Sequence, residues 1–185
     1  DGQGQASNVA LSSAGRIEVL RGPLAQLYGN AAGGVVQIFT DMTGGLEGDG
    51  SAISSSLGGG RFGQLKAGVR YNHVGPTDAV VLDLSTFRTG GYRPNSSAER
   101  QQINARWQGD LPSGSRVAVT FNNLDQPDSK DPLGLTRTQF DSNPRQTAPL
   151  ALQQDASKTV TQQQMGVTFE HALGEATGVQ ARVYG

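Results

Sequence analysis

From residue 64 onward the chain alternates between apolar and polar positions with a period of two. Residues 64–74 set Leu65, Ala67, Val69, Tyr71 and His73 against Gln64, Lys66, Arg70 and Asn72. Residues 100–111 set Gln101, Ile103, Ala105, Trp107 and Leu111 against Arg100, Gln102, Asn104, Arg106, Gln108 and Asp110. The pattern returns at 116–124 (Val117, Val119, Phe121), at 164–173 (Met165, Val167, Phe169, Leu173) and at 177–185 (Val179, Ala181, Val183). Strict alternation predicts strands with one apolar and one polar face. Residues 51–57 and 79–89 are weaker members of the same set.

The connections between these strands are of two kinds. Residues 75–78, 112–115 and 174–176 are tight turns rich in Gly, Pro, Ser and Asp. Residues 58–63, 90–98 and 125–160 are longer. A soluble sandwich alternates too, but has no reason to sort its connections by end. Short turns at one end and long loops at the other predict a transmembrane barrel. The 125–160 segment far exceeds an ordinary hairpin loop, and loops of that length are functional or disordered.

Ahead of the strands lies a different pattern. Arg16-Ile17-Glu18-Val19-Leu20-Arg21-Gly22-Pro23 precedes Leu27-Tyr28-Gly29 and then Ala32-Gly33-Gly34-Val35-Val36-Gln37-Ile38-Phe39-Thr40. These predict two short strands joined by a Gly-punctuated excursion. Pro23 lacks a backbone donor and stops the first strand, while Gly29, Gly33 and Gly34 permit unusual dihedrals or close packing. Residues 42–50 form a Gly-rich connector with too little apolar content to pack.

The ordered string closely resembles the C-terminal part of the plug domain of TonB-dependent outer-membrane receptors. The stretch from Asp131 to Phe140, then Asn143-Pro144-Arg145-Gln146, looks like an external loop in one branch of that family. The resemblance implies an all-β fragment: residues 1–41 as the end of the plug, 42–50 as connector, and 51–185 as the first strands of an incomplete barrel. It implies a bacterial outer-membrane location and import of a scarce nutrient, most simply a ferric siderophore or ferric citrate, driven by TonB acting on an upstream region. By the same resemblance Gln3, Gln5 and Asn30 belong to upper plug loops facing the ligand. Arg21 belongs to a plug–barrel ion lock whose carboxylates are expected beyond residue 185. Gly22, Pro23, Tyr28, Gly29, Gly33 and Gly34 make up the plug's structural motif. The rival reading is a β-rich secreted or surface adhesin, or a structural protein, that transports nothing.

Composition narrows the remaining classes. The chain has 185 residues, 26 of them glycine, no cysteine and a formal net charge of -1, so it has no Cys-ligated metal site and no electrostatic case for nucleic acid. No apolar run approaches the roughly 20 residues of a membrane-spanning helix, a test that β-strands escape. Asp1 is preceded by no signal peptide, and the chain reads as a fragment of a longer protein. Residues 58–63 match GxGxxG in form, but the period-two segment after them is not the helix that a dinucleotide site needs. His73 and His171 stand on apolar rows near short turns, as Tyr71, Trp107 and Phe169 do, which predicts an aromatic girdle at a lipid interface. No catalytic motif, metal site or cofactor is predicted, and the chain does not read as an enzyme.

Overall fold

The computed structural model describes residues 11–22, 34–174 and 177–185. After a single 3-10 turn, Leu11–Ser13, strand β1 (Ala14–Leu20) pairs antiparallel with β2 (Val35–Thr40), Ile17 opposite Ile38. Gly34 stands at the start of β2 with φ +124°, and a Cβ there would lie 2.8 Å from the Leu20 carbonyl oxygen. A side chain is excluded where the two strands close on each other.

Seven further strands form one antiparallel meander: β3 (Gly50–Gly60), β4 (Gln64–Val74), β5 (Asp78–Thr89), β6 (Ala98–Asp110), β7 (Ser115–Lys130), β8 (Ser157–Ala172) and β9 (Gly178–Tyr184). The fold is thus mainly β, and the sheet is open, with β3 and β9 at its edges. Two short helices, α1 (Arg137–Ser142) and α2 (Pro149–Gln153), sit in the connection between β7 and β8.

Two connections differ from the sequence expectation. Gly58, Gly59 and Gly60 belong to β3, paired with Lys66, Leu65 and Gln64, so the loop predicted at 58–63 shrinks to a turn at 61–63. Glycine carries no side chain to display the alternation, yet its backbone pairs as well as any other. The long loop shortens from both ends to 131–156, because β7 and β8 continue their ladder to Lys130 and Ser157 past a bulge near Gln126. One end of the sheet therefore carries connections 61–63, 90–97 and 131–156, and the other carries 75–77, 111–114 and 173–177. The sorting by end holds for two of the three long loops.

Candidate functional site

The seven-stranded sheet is amphipathic in an unusual sense. Its most buried side chains include Val81, Asn72, Asp83 and Leu124, each at 1–2% exposure. Register places all four on the face shared by Arg70, Asn104 and Arg106. The opposite face carries Ile53, Leu57, Val69, Leu84, Trp107, Phe121, Met165, Phe169 and Val183, every one of them more than a third exposed. Polar groups line the sheltered face, and large apolar groups line the open one.

The apolar face has a sloping edge. On the long-loop side its last apolar residues are Leu57 with its partner Ala67, then Leu84 with Ile103, then Phe121 with Met165, then Val183. Leu65 alone stands above this line. Val69 pairs with Leu84, Ala105 with Phe121, and Val167 with Val183. Each hairpin's edge therefore lies one row, or two residues, nearer the short turns than the one before. A drift of about one residue (~3.3 Å) per strand spacing (~4.8 Å) corresponds to strands inclined by about 35° from the normal to the band. Membrane barrels incline their strands by about 35–45°.

Tyr71, Trp107 and Phe169 follow the same slope. Each lies two rows below the edge of its hairpin, so the three aromatics expected in a girdle stand at one level. His73 and His171 each sit two residues nearer the short turns. Both meet a cross-strand serine: Ser51 Oγ and Ser115 Oγ lie 2.9 Å from the Nδ1 atoms of His73 and His171.

The β1–β2 hairpin is moored to the polar face. Ser12 Oγ donates to Asp83 Oδ1 at 2.7 Å, and Arg70 Nη1 donates to the Ser12 carbonyl at 3.1 Å. Arg70 Nη2 also donates to the Asp41 carbonyl and lies 3.2 Å from the Asp41 carboxylate. Asn72 Nδ2 reaches the carbonyls of Asp41 and Met42 at 3.3 and 3.2 Å. Gly44 passes so close that a Cβ there would lie 2.4 Å from Asn72 Oδ1, at φ +60°. Burial works against the Asp41 carboxylate, but the Gly44 N–H, the Thr43 hydroxyl and N–H, and the charge of Arg70 together hold its pKa below the ordinary value.

At the long-loop end a second polar system joins two loops. Arg93 Nε donates to the Gln146 carbonyl at 2.7 Å, and its Nη2 to the carbonyls of Pro132 and Leu133 at 3.0 and 2.9 Å. Asn95 Nδ2 donates to Asp131 O and Ala156 O at 3.0 and 3.1 Å, and Thr147 Oγ1 to Pro94 O. Helix α1 is closed by a capping box between Thr136 and Gln139. Between the joined loops lies a concavity of about 610 Å³ lined by Tyr92, Arg93, Leu135, Arg137, Phe140 and Pro144. Arg93→Ala should strand the Gln146 and Leu133 carbonyls, leave Pro132 O only the Ala148 N–H, and cost the loop about 2–3 kcal/mol. Hydrogen exchange at the Ala148 amide, which donates to Pro132 O, should quicken about 30–150-fold; unchanged protection would show that Arg93 holds nothing.

Of the residues named from sequence, Arg21 follows β1, exposed and without an ion pair among the described residues. Gly34 takes φ +124°, the kind of backbone expected of it, and Gly22 takes φ +85°. Gln3, Gln5, Pro23, Tyr28, Gly29, Asn30 and Gly33 lie outside the described residues. Arg70, Asp83, Arg93 and Asn95 were not singled out as site residues; Tyr92 and Pro94 around Arg93 were the only hint of an ordered loop. Among the described residues no cluster of His, Cys, Asp or Glu is built to hold a metal ion. No protein-family model matches the chain.

Proposed function

We propose that the chain is the end of a plug and the first seven strands of the barrel of a TonB-dependent transporter in a bacterial outer membrane. The observation that carries this reading is the reversed sheet, with its exposed apolar band sloping across seven strands at a barrel's inclination. An apolar surface of that extent needs lipid or a large partner to cover it. A closed barrel also removes both open edges, which in lipid cannot be left unpaired. The polar face then lines the lumen, and the hairpin moored to it through Ser12, Asp41, Arg70 and Asp83 takes the place of a plug.

In this reading the whole protein captures a scarce nutrient outside the cell, an iron(III) siderophore or ferric citrate by first choice. It releases the nutrient inward when TonB, engaged through a region outside this chain, pulls on the plug. Upper plug loops with Gln3, Gln5 and Asn30 contribute to capture. Arg21 locks plug to barrel through carboxylates carried by later strands. No covalent chemistry is involved.

The topology gives the direct test. In the full-length protein on intact cells, an epitope inserted beside Ser142, in the 131–156 loop, should be labelled by antibody. One beside Ser113, in the 111–114 turn, should be labelled only after the outer membrane is permeabilised. Labelling of Ser113 on intact cells, or of neither site in outer-membrane fractions, would overturn the proposal.

A further inference from the structure

One row below the three aligned aromatics, the apolar face changes character. Three cross-strand pairs occupy that row, one in each hairpin of the slope: Ser51 with His73, Asp78 with Gly109, and Ser115 with His171. At the middle pair the Trp107 indole leans over the glycine, and a Cβ on Gly109 would lie 2.5 Å from its Cζ2. Past this row the large exposed apolar residues on the described part of the face are Leu111 and Leu173, both in the short turns.

The two histidine pairs are built alike. Each serine hydroxyl lies 2.9 Å from an imidazole Nδ1. Each also has a second hydroxyl behind it: Tyr71 Oη lies 3.3 Å from Ser51 Oγ, and Ser113 Oγ lies 2.9 Å from Ser115 Oγ. Hydroxyls both donate and accept, so either chain can run in either direction. A serine that donates to Nδ1 leaves the proton of a neutral imidazole on Nε2, and one that accepts from Nδ1 suits the imidazolium. Both chains therefore satisfy a ring whose Nε2 carries a proton, neutral or charged. Neither Nε2 has a hydrogen-bond partner among the described residues.

The neighbours of the two rings differ. A Cβ on Gly75 would lie 3.4 Å from His73 Nε2 and 2.6 Å from Asp78 Oδ1, so a carboxylate borders that nitrogen. His171 has Phe169 stacked beside it, with 6.4 Å between ring centroids, and pairs with the exposed Val179 on β9. Arg116 and Glu170, its charged neighbours by register, belong to the polar face.

We propose that the short-turn rim holds the phosphate of a glycerophospholipid on Nε2 of His171, with His73 as a weaker second station. An N–H donor set in an apolar rim calls for an acceptor, and a phosphodiester oxygen accepts strongly. The exposed Phe169 and Val179 take an acyl chain of the same molecule, so one lipid satisfies both kinds of surface. A soluble anion leaves the carbon uncovered. Strands β4 and β8 are four spacings apart, about 19 Å, so the two stations take separate lipids. Headgroups fixed at one level set the depth at which the sheet rides, which apolar contact, being non-directional, leaves loose. The proposal rests on the reading that the apolar face meets lipid, and adds the headgroup to it.

The test uses the full-length protein in maltoside micelles, with lipid binding followed by native mass spectrometry. Phosphatidylglycerol is the probe, and a glucosyl diacylglycerol with the same acyl chains and no phosphate is the comparison. The wild type should prefer phosphatidylglycerol, and His171→Phe should lower its affinity about 10-fold while leaving the glucolipid unaffected. His171→Gln keeps an N–H donor and should recover part of the loss. His73→Phe should cost about 2–3-fold, and Asp78→Asn, which removes the competing carboxylate, should tighten phosphatidylglycerol by a similar factor. Equal binding of the two lipids by the wild type overturns the proposal. So do equal losses in the Phe and Gln variants, which would mark His171 as packing for Phe169, and full displacement of the lipid by inorganic phosphate. Failure of both lipids to bind removes the premise that the apolar face meets lipid, and the proposal with it; equal binding of both leaves that premise standing.

Discussion

Arginine at Val119 should deplete the assembled full-length barrel of the proposed transporter, whereas arginine at Asn122 should leave most of it intact. Val119 stands in the middle of the apolar band on β7, between Val117 and Phe121, and pairs with Trp107 and Val167. An arginine facing lipid near mid-membrane costs about 2–4 kcal/mol. Asn122 faces the other way, between Asn104 and Gln164, where register offers only neutral polar neighbours. Thr120 is a poorer control, because it accepts a hydrogen bond from Arg106 at 3.1 Å and an arginine there would meet a like charge. The readout is the heat-resistant folded band of the outer-membrane fraction on a semi-native gel. Equal loss in both variants would mean that the apolar face does not meet lipid.

Removing Arg70 should release the hairpin from the wall. The guanidinium side chain is 14% exposed and ties two backbone carbonyls and one carboxylate to the sheet. Its loss takes the only cation from the Asp41 carboxylate among the described residues and leaves it the Thr43 and Gly44 donors alone. Breaking a fully buried pair costs about 3–5 kcal/mol, and this partly exposed one should cost about 2–3 kcal/mol on the same reasoning. In the full-length protein, Arg70→Ala should speed proteolytic cleavage in the 41–49 connector by an order of magnitude or more. Arg70→Lys should recover only part of the protection, because one ammonium cannot span the carbonyls of Ser12 and Asp41 together. Acid should act through the other partner. The folded protein lowers the pKa of Asp41, so its contribution is complete above the unfolded pKa and is lost as pH falls through the folded one. Cleavage at a rate independent of both Arg70 and acid would show that the mooring lies elsewhere.

The strands were legible wherever large side chains alternate with polar ones, as in β4 and β6. Legibility failed where the physical cause of alternation is missing. Gly58–Gly60 have no side chains to place on a face. Residues 125–130 and 157–160 lie above the apolar band, so neither of their faces carries an apolar row although the ladder continues. Helices α1 and α2 were missed because six and five residues show no period. The Thr136/Gln139 box and Pro149 at the first turn were the available signals. The long-range moorings are a different matter. Alternation puts Arg70 on the polar face, but nothing in one sequence pairs it with Asp41, and Arg93 binds carbonyls that every residue possesses.

The extra length of β7 and β8 has an electrostatic consequence. Lys130 stands nine positions beyond Phe121, the last apolar residue of its strand, and Thr89 stands five beyond Leu84. At ~3.3 Å per residue, with about 35° of tilt, the joined loops ride roughly 13–25 Å above the apolar band. The potential of a charged membrane surface decays over about 8 Å at physiological ionic strength. In the proposed transporter the concavity lined by Arg93 and Arg137 therefore sits beyond most of that layer. A receptor whose loops hugged the lipid would have to draw its ligand through that layer, and its capture rate would track membrane composition. In the proposed transporter the strands act as a stilt, and the salt dependence of capture should report the charge of the loops alone.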